Sequence, residues 1–369
     1  MKKTHQALSK KKIVIRADGY KRLGMGHLYR NLTLARYLRK YYKKEIIFIT
    51  RNNGIAKKIL KDNSFKTYLL PFNMSRGAET KQLRNILARE RPGLIIVDLL
   101  HDCLDPSYMK VMRYAAGVRV VAFIDTHQRR AVNADIVFNT SPYHEKEDYR
   151  ELRDTAYYFS YDYLILPETY LGFRPKRTIK KEVSRIMVCM GGSDHNNLSL
   201  GVVKAIDKSP FDFTCDVVMS SGYFSRMEVN RSLQGARHQV NVHYDTDGLY
   251  ELLSMADIAI TAGGNTQAER MCAGVPGMVI SQLRHQEQYS DAIAKLGAGL
   301  HLGFHKEVTA KDILAALNHL IRDRELRRRM ALKGRELVDG KGLKRIADII
   351  LRAKQGKGSR RIDSPSGVS

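Results

Sequence analysis

The stretch Lys12-Ile13-Val14-Ile15-Arg16-Ala17-Asp18-Gly19, running on through Gly24-Met25-Gly26-His27-Leu28-Tyr29-Arg30 to Leu34-Ala35, decides how the rest of the chain is read. Ile13 to Ile15 form a short apolar run, as in a strand buried on both faces of a sheet. Leu28, Leu32, Ala35 and Leu38 then recur at helical spacing. In between, Gly24 and Gly26 let the backbone turn sharply and approach a ligand closely. His27 falls where the helix begins, beside backbone N–H groups and a positive dipole end that favour phosphate. A histidine held there can move a proton near neutral pH. The same spacing also fits a tight strand-to-helix turn with no ligand, because short glycine motifs arise by chance.

Outward from this unit, apolar strands alternate with helical segments. Strands are expected at 45–50, 67–70, 94–98, 118–125, 134–139 and 163–166, with helices at 54–61, 79–90 and 106–116. The pattern restarts at Arg185 with strands at 185–190, 214–220, 240–243, 258–261 and 277–281. Helices are expected there at 197–206, 249–255, 265–273, 288–296, 308–317, 325–338 and 343–351. Buried strands alternating with helices predict an α/β protein: two Rossmann-like domains with parallel sheets facing a cleft. The expected division is a basic arm at 1–11, an N-terminal Rossmann-like domain at 12–171 and a linker at 172–184, which is polar, basic and contains Pro175. A C-terminal Rossmann-like domain at 185–338, a last helix at 339–353 and a disordered basic tail at 354–369 follow.

Composition narrows the class. The 369 residues suit two domains of ordinary size, and the 43% apolar content lies in strand-length runs. No stretch approaches the roughly 18 consecutive apolar residues of a membrane span. The N-terminus is basic but lacks a signal-peptide apolar segment, so a cytoplasmic location is expected. Cys103, Cys189, Cys215 and Cys272 lie far apart without a CxxC pair, which suits reduced thiols and suggests neither a zinc site nor a disulfide framework. The net charge of +25 gathers in the N-terminal arm, in 174–181 and in the C-terminal third. Solvated charge ranks first as its explanation, anionic small substrates second and nucleic acid third. No nucleic-acid-binding motif accompanies the charge and the chain has no tryptophan, so no specific nucleic acid is expected. The charge leaves room for weak peripheral association with an anionic membrane surface.

Three glycine turns each follow an apolar strand and precede a helix: Gly24-x-Gly26-His27, Gly191-Gly192-Ser193 and Gly263-Gly264-Asn265-Thr266. Each offers backbone N–H groups at the carboxyl edge of a sheet, where open α/β folds bind ligands. Together they predict phosphate binding. Glu269, about one turn into the helix that starts near Thr266, can accept both hydroxyls of a ribose. Taken alone, a solvated helical glutamate is the simpler reading. Gln286 follows a strand and can contact a sugar or phosphate. No turn matches GxxxxGK[ST], and the first lacks the third glycine of a dinucleotide fingerprint, which argues against a P-loop ATPase and against NAD. There is no HExxH, no His/Cys cluster and no GxSxG elbow, so neither a metal nor a cofactor is expected. His101, His127, His144, His195 and His243 read as surface or loop residues. Asp18, Asp98 and Asp125 lie at or just beyond strand ends, positions that serve either catalysis or turn capping.

These residues resemble the family of pseudaminic-acid-pathway UDP-sugar hydrolases and spore-coat polysaccharide proteins, relatives of the MurG-like glycosyltransferases. The resemblance runs through Arg16-Ala17-Asp18, Gly24-x-Gly26-His27-x-x-Arg30, Ile96-Val97-Asp98, Ile124-Asp125, Tyr163-x-x-Leu166-x-Glu168 and Met190-Gly191-Gly192-Ser193-Asp194. It resumes at Ala262-Gly263-Gly264-Asn265-Thr266-x-x-Glu269, Gly274-x-Pro276 and Val338-Asp339-Gly340-Lys341-Gly342. It implies a GT-B architecture with nucleotide on the C-terminal domain and a last helix that crosses back to the N-terminal one. It also implies metal-independent release of UDP from a 2,4-diacetamido-2,4,6-trideoxy sugar, by water attack at the anomeric carbon with inversion. His27 is then the general base, and Gly26 with its neighbours contacts the pyrophosphate. Gly264, Asn265 and Thr266 hold the diphosphate and Glu269 the uridine ribose. Arg16, Asp18, Gly24, Gly191, Gly192, Ser193, His285 and Gln286 complete the expected UDP-sugar contacts. Two positions depart from the hydrolases: Leu99-Leu100 stands where they carry His-Tyr, and His285-Gln286 where they carry Asn-Gln. A GT-B glycosyltransferase using a UDP-sugar and a non-catalytic nucleotide-sugar-binding protein therefore stand as the alternatives.

Overall fold

A computed structural model describes residues 12–20, 25–100, 104–113, 118–124, 132–140, 155–172, 178–191, 194, 196–219, 226–244, 246 and 248–352, with Arg226 and His285 described by backbone alone. The expected arm at 1–11, the expected tail at 354–369, and Gly24, Asp125, Gly192 and Ser193 lie outside the described residues. The chain divides into two compact units, unit 1 being Met1–Glu168 with Lys341–Ser369 and unit 2 Thr169–Gly340.

Unit 1 carries β1 (Ile13–Ala17), α1 (Gly26–Tyr42), β2 (Ile46–Arg51), α2 (Gly54–Asp62), β3 (Lys66–Leu70), α3 (Arg76–Glu90), β4 (Leu94–Asp98), α4 (Pro106–Met112), β5 (Arg119–Ile124), β6 (Ile136–Asn139) and β7 (Ala156–Phe159). The strands form one seven-stranded sheet in the order β3-β2-β1-β4-β5-β6-β7. Neighbours run parallel, with Ile13 level with both Ile46 and Leu94. β1, β4 and β5 are buried along their whole length, which is why their sequences carry the apolar runs 13–15, 94–97 and 120–124.

Unit 2 carries β8 (Arg185–Cys189), α5 (Leu198–Ile206), β9 (Thr214–Met219), α6 (Arg226–Ser232), β10 (Gln239–Tyr244), α7 (Tyr250–Met255), β11 (Ile258–Ala262), α8 (Asn265–Cys272), β12 (Gly277–Ser281), α9 (Arg284–Lys295), β13 (Leu300–Phe304), α10 (Ala310–Arg322) and α11 (Arg324–Leu337). Its six parallel strands follow the order β10-β9-β8-β11-β12-β13. Counted from β8 this is 3-2-1-4-5-6, the strand order of dinucleotide-binding α/β sheets.

Several elements differ from the sequence reading. No strand forms at 163–166: a 3₁₀ turn, Tyr161–Tyr163, ends there with Leu164 N donating to Tyr161 O, and 164–166 has no regular structure. The paired edge strand is β7, one aromatic cluster earlier. β13 and α6 were not foreseen: Gly299, Gly303 and His301 obscure β13, and α6 is polar. α9 starts at Arg284 rather than 288, which puts His285 and Gln286 in its first turn. The segment expected as a linker belongs to unit 2 at 178–184, where Arg324 Nε donates to Ile179 O and Arg327 Nη2 to Lys180 O and Lys181 O. Arg327 is buried, and a buried arginine that fastens backbone carbonyls carries no sequence signal.

The last helix, α12 (Gly342–Arg352), packs within unit 1. It buries Leu343, Ile346, Ala347 and Ile350, accepts Arg119 Nη1 on Ile350 O at 3.0 Å and Tyr42 Oη on Asp348 at 2.9 Å. Gly342 makes this docking possible, since a Cβ there would fall 2.1 Å from Leu164 O and 2.9 Å from Asp162 O. Backbone cannot retreat as a flexible side chain can. Gly342→Ala is therefore expected to cost roughly 2–3 kcal/mol of stability in chemical denaturation. Gly201→Ala in α5, where a Cβ meets no described atom within 4 Å, is the matched control and should be neutral or stabilising. Among the described residues no helix is long and apolar enough to cross a membrane.

Candidate functional site

In each sheet the connections reverse direction once, between β1 and β4 in unit 1 and between β8 and β11 in unit 2. The carboxyl ends of those strand pairs are where such folds place ligands. Of the glycine turns, the described Gly26, Gly191 and Gly263-Gly264 follow β1, β8 and β11. Capping distinguishes α1 and α8 from many, though not all, of the other helices, since α7 and α9 also lack a side-chain cap at the N-cap residue. Asn53, Ser75, Asp105, Thr309 and Asp323 cap α2, α3, α4, α10 and α11 with side-chain oxygens. α1 and α8 begin at Met25 and Gly264 with no side-chain cap among the described residues. Their first N–H groups thus suit an anion. At α5 the donors are already used, because Asp194 accepts Leu198 N and Ser199 N, both at 2.8 Å.

In unit 1, β4 ends on Asp98, whose side chain is fully buried. Three residues of α1 spaced i, i+3 and i+4 converge on it. His27 Nδ1 lies 2.6 Å from Oδ1, Arg30 donates through Nε at 2.6 Å and Nη2 at 2.5 Å, and Asn31 Nδ2 donates to Oδ2. Burial alone would raise the Asp98 pKa, but the Arg30 guanidinium and His27 hold it well below the usual carboxylate range. An ionised carboxylate only accepts, so His27 Nδ1 carries the proton and Nε2 is the basic nitrogen of the neutral ring. Such a histidine can take a proton from water, with the charge it gains facing Asp98. Gly26 is exposed in the first turn of α1.

Arg16 and Asp18, expected as ligand contacts, have another task. Arg16 is 1% exposed. Its guanidinium pairs with Asp18 at 2.6 and 2.9 Å and with Glu79 at 3.0 Å, and meets the Tyr108 hydroxyl at 3.1 Å. Asp18 also accepts Arg51 N at 2.8 Å, and Arg51 Nη2 reaches Glu79 at 2.8 Å. This network fastens the ends of β1 and β2 to α3 and α4. It engages the Arg16 guanidinium with protein partners, in place of the ligand contact expected for it. Sequence reading missed this because Glu79 and Tyr108 are distant in the chain.

In unit 2, β11 runs through Gly263-Gly264 into α8. Gly263 is required by packing: a Cβ would lie 2.7 Å from Ser290 Oγ and 2.9 Å from Gln286 Cβ. Gln286 Oε1 accepts Gln282 N at 2.9 Å and Leu283 N at 3.3 Å, capping α9, while Nε2 stands beside Gly264. Gly264, Asn265, Thr266 and Glu269 thus lie at and within the start of α8, with Gln286 beside Gly264. Gly191 begins the other turn with φ +81°. The His285 side chain lies outside the description. Glu269 is partly buried, its pKa pushed up to about 7 by desolvation and held from rising further by a 2.9 Å hydrogen bond from the Tyr170 hydroxyl. Tyr170 was not foreseen.

The Glu269 shift has a stability consequence. Between the unfolded carboxyl pKa and about 7 the folded chain holds a proton that the unfolded chain lacks. Its stabilising contribution is complete below the unfolded value and is lost as pH rises through about 7. Glu269→Gln should therefore gain on the order of 2 kcal/mol relative to the parent at pH 8 compared with pH 4.5, read from denaturation midpoints at both pH values. A difference independent of pH would contradict the shift.

Two parallel α/β sheets with anion-ready helices at their reversal points define a fold class, that of GT-B proteins. The crystal structure of Acinetobacter baumannii MurG matches with TM-score 0.68 at 15% identity, over 93% of this chain and 100% of that one, and so shows the fold. No protein-family model matches the chain. By sequence it is homologous to the spore coat polysaccharide biosynthesis protein SpsG of Bacillus subtilis, 27% identical over 90% of this chain and 96% of that protein. It is also similar to the UDP-2,4-diacetamido-2,4,6-trideoxy-beta-L-altropyranose hydrolase of Campylobacter jejuni, 22% identical over 78% of this chain and 97% of the hydrolase. An uncharacterized protein of Methanocaldococcus jannaschii is 29% identical over 80% of this chain, which spans 61% of that relative's length.

Proposed function

We propose that the chain is an enzyme of UDP-sugar metabolism in surface-polysaccharide synthesis, and that it hydrolyses a UDP-diacetamido-trideoxyhexose without a metal. The observation that carries the catalytic part is His27 Nδ1 held at 2.6 Å by the buried, ionised Asp98. In this reading unit 2 binds the nucleotide, with Gly264, Asn265 and Thr266 at the diphosphate and Glu269 at the ribose. His27 Nε2 takes a proton from water as its oxygen bonds to the anomeric carbon. The bond from that carbon to the diphosphate oxygen breaks, and UDP leaves with the electron pair. N–H groups at a helix start favour the charge gathering on the diphosphate.

The alternative, transfer of the sugar to an acceptor, is favoured by one observation. Leu100, following Asp98, is 48% exposed, an apolar side chain where the hydrolases of the resembled family carry a polar one. The test is UDP release from a panel of UDP-sugars by the purified protein, with EDTA and without acceptor. Release from a diacetamido-trideoxyhexose supports hydrolysis; release only on addition of an acceptor supports transfer.

A further inference from the structure

Tyr170 closes the 3₁₀ turn Glu168–Tyr170 and is fully buried. Its ring meets Tyr250 edge-on, 5.8 Å between centroids. Its backbone carbonyl lies under Gly340, whose φ is +74°, and a Cβ at Gly340 would fall 2.6 Å from that oxygen and 2.9 Å from Cys272 Sγ. The Asp339-Gly340 step of the sequence thus has a physical account: only glycine combines that backbone conformation with that approach. Held at ring and backbone, the tyrosine sets its hydroxyl 2.9 Å from Glu269 Oε2.

We propose that Tyr170 is a positioning residue for nucleotide recognition: by donating to Oε2 it favours the ionised Glu269 carboxylate and orients it to accept ribose hydroxyls. This rests on the ribose reading of Glu269. A diol donates both its protons, so the carboxylate has to arrive charged, and a phenol that donates to it favours that form. The other groups nearby do not supply this. The Cys189 thiol of β8 is pushed up to about 11, chiefly by burial, and stays neutral. Tyr250 and Cys272 lie against Tyr170. Arg270, next along α8, turns its guanidinium to Val275 O at 2.7 Å and Ala298 O at 2.8 Å. Among the described residues no lysine, arginine or histidine is ion-paired with Glu269. Burial, which opposes ionisation, is answered there by the Tyr170 hydrogen bond.

The experiment is calorimetric titration of UDP and of 2′-deoxy-UDP from about pH 5.5 to 9, with the parent, Tyr170→Phe and Glu269→Gln. Titration of the terminal phosphate is common to both ligands, so the ratio of their dissociation constants isolates the ribose contact. In the parent the preference for UDP should climb through about pH 7 to a plateau. Tyr170→Phe keeps the packed ring and should move that climb up by about one pH unit, lowering the preference several-fold at pH 7 and restoring it at pH 9. An unmoved climb, or equal weakening of both ligands at every pH, would overturn the role of Tyr170. Glu269→Gln reads the underlying assignment separately. Loss of the preference at every pH supports it, and an unchanged preference removes Glu269 from the ribose whatever Tyr170→Phe does.

Discussion

His27→Ala is expected to lower UDP release by roughly 10³-fold while leaving UDP affinity within about twofold. The asymmetry follows from where the groups stand. His27 belongs to unit 1, and the residues proposed to grip UDP belong to unit 2. Removing the imidazole deletes the atom proposed to take the proton from water but none of the proposed nucleotide contacts. Neutral water is a poor nucleophile, and the leaving diphosphate does not compensate for the lost base. Steady-state turnover and calorimetry on the same preparation give both numbers. Undiminished turnover would remove His27 from the mechanism, and a parallel loss of UDP affinity would make it a binding residue.

Asp98→Asn should be nearly as severe, with an expected loss of 10²- to 10³-fold or so in turnover. An asparagine of the same shape can turn its NH₂ towards His27 Nδ1. The ring then protonates on Nε2, the nitrogen that has to act as base. The substitution also leaves the Arg30 guanidinium, which donates through Nε and Nη2 to the Asp98 carboxylate, without its counter-charge. Breaking a buried pair this way costs about 3–5 kcal/mol. The variant should therefore unfold at lower denaturant, and the activity per folded molecule is the quantity to compare. A folded variant within threefold of the parent would contradict the tautomer argument.

The fold was legible because parallel strands buried on both faces leave apolar runs of three or more residues, interrupted in β1, β4, β5 and β8 only by Arg16, Asp98, Arg119 and Arg185. Edge strands are less visible. β7 and β13 mix aromatic, histidine and glycine residues, since packing rather than composition defines them. Of the proposed site, His27 and Glu269 stand out in the sequence by their position after glycine turns at strand ends. Asp98 could be placed at a strand end but not given a task, because capping and catalysis look alike there. Its convergence with His27, Arg30 and Asn31 carries a faint signal, the i, i+3, i+4 spacing on one helix face. Arg16 and Asp18 show the opposite limit. A short charged motif beside a glycine loop looks like a ligand contact, and only the tertiary neighbours Glu79, Arg51 and Tyr108 reveal a structural ion network. Tyr170 was illegible for the same reason, lying 99 residues from Glu269.

The central claim, that His27 directs water to the anomeric carbon, is tested most directly by turnover in ¹⁸O-labelled water, with both products followed by mass and NMR at early times. The account predicts one ¹⁸O on the anomeric carbon of the released sugar, in inverted configuration, with unlabelled UDP. Label in the terminal phosphate of UDP would place the attack on phosphorus and contradict it.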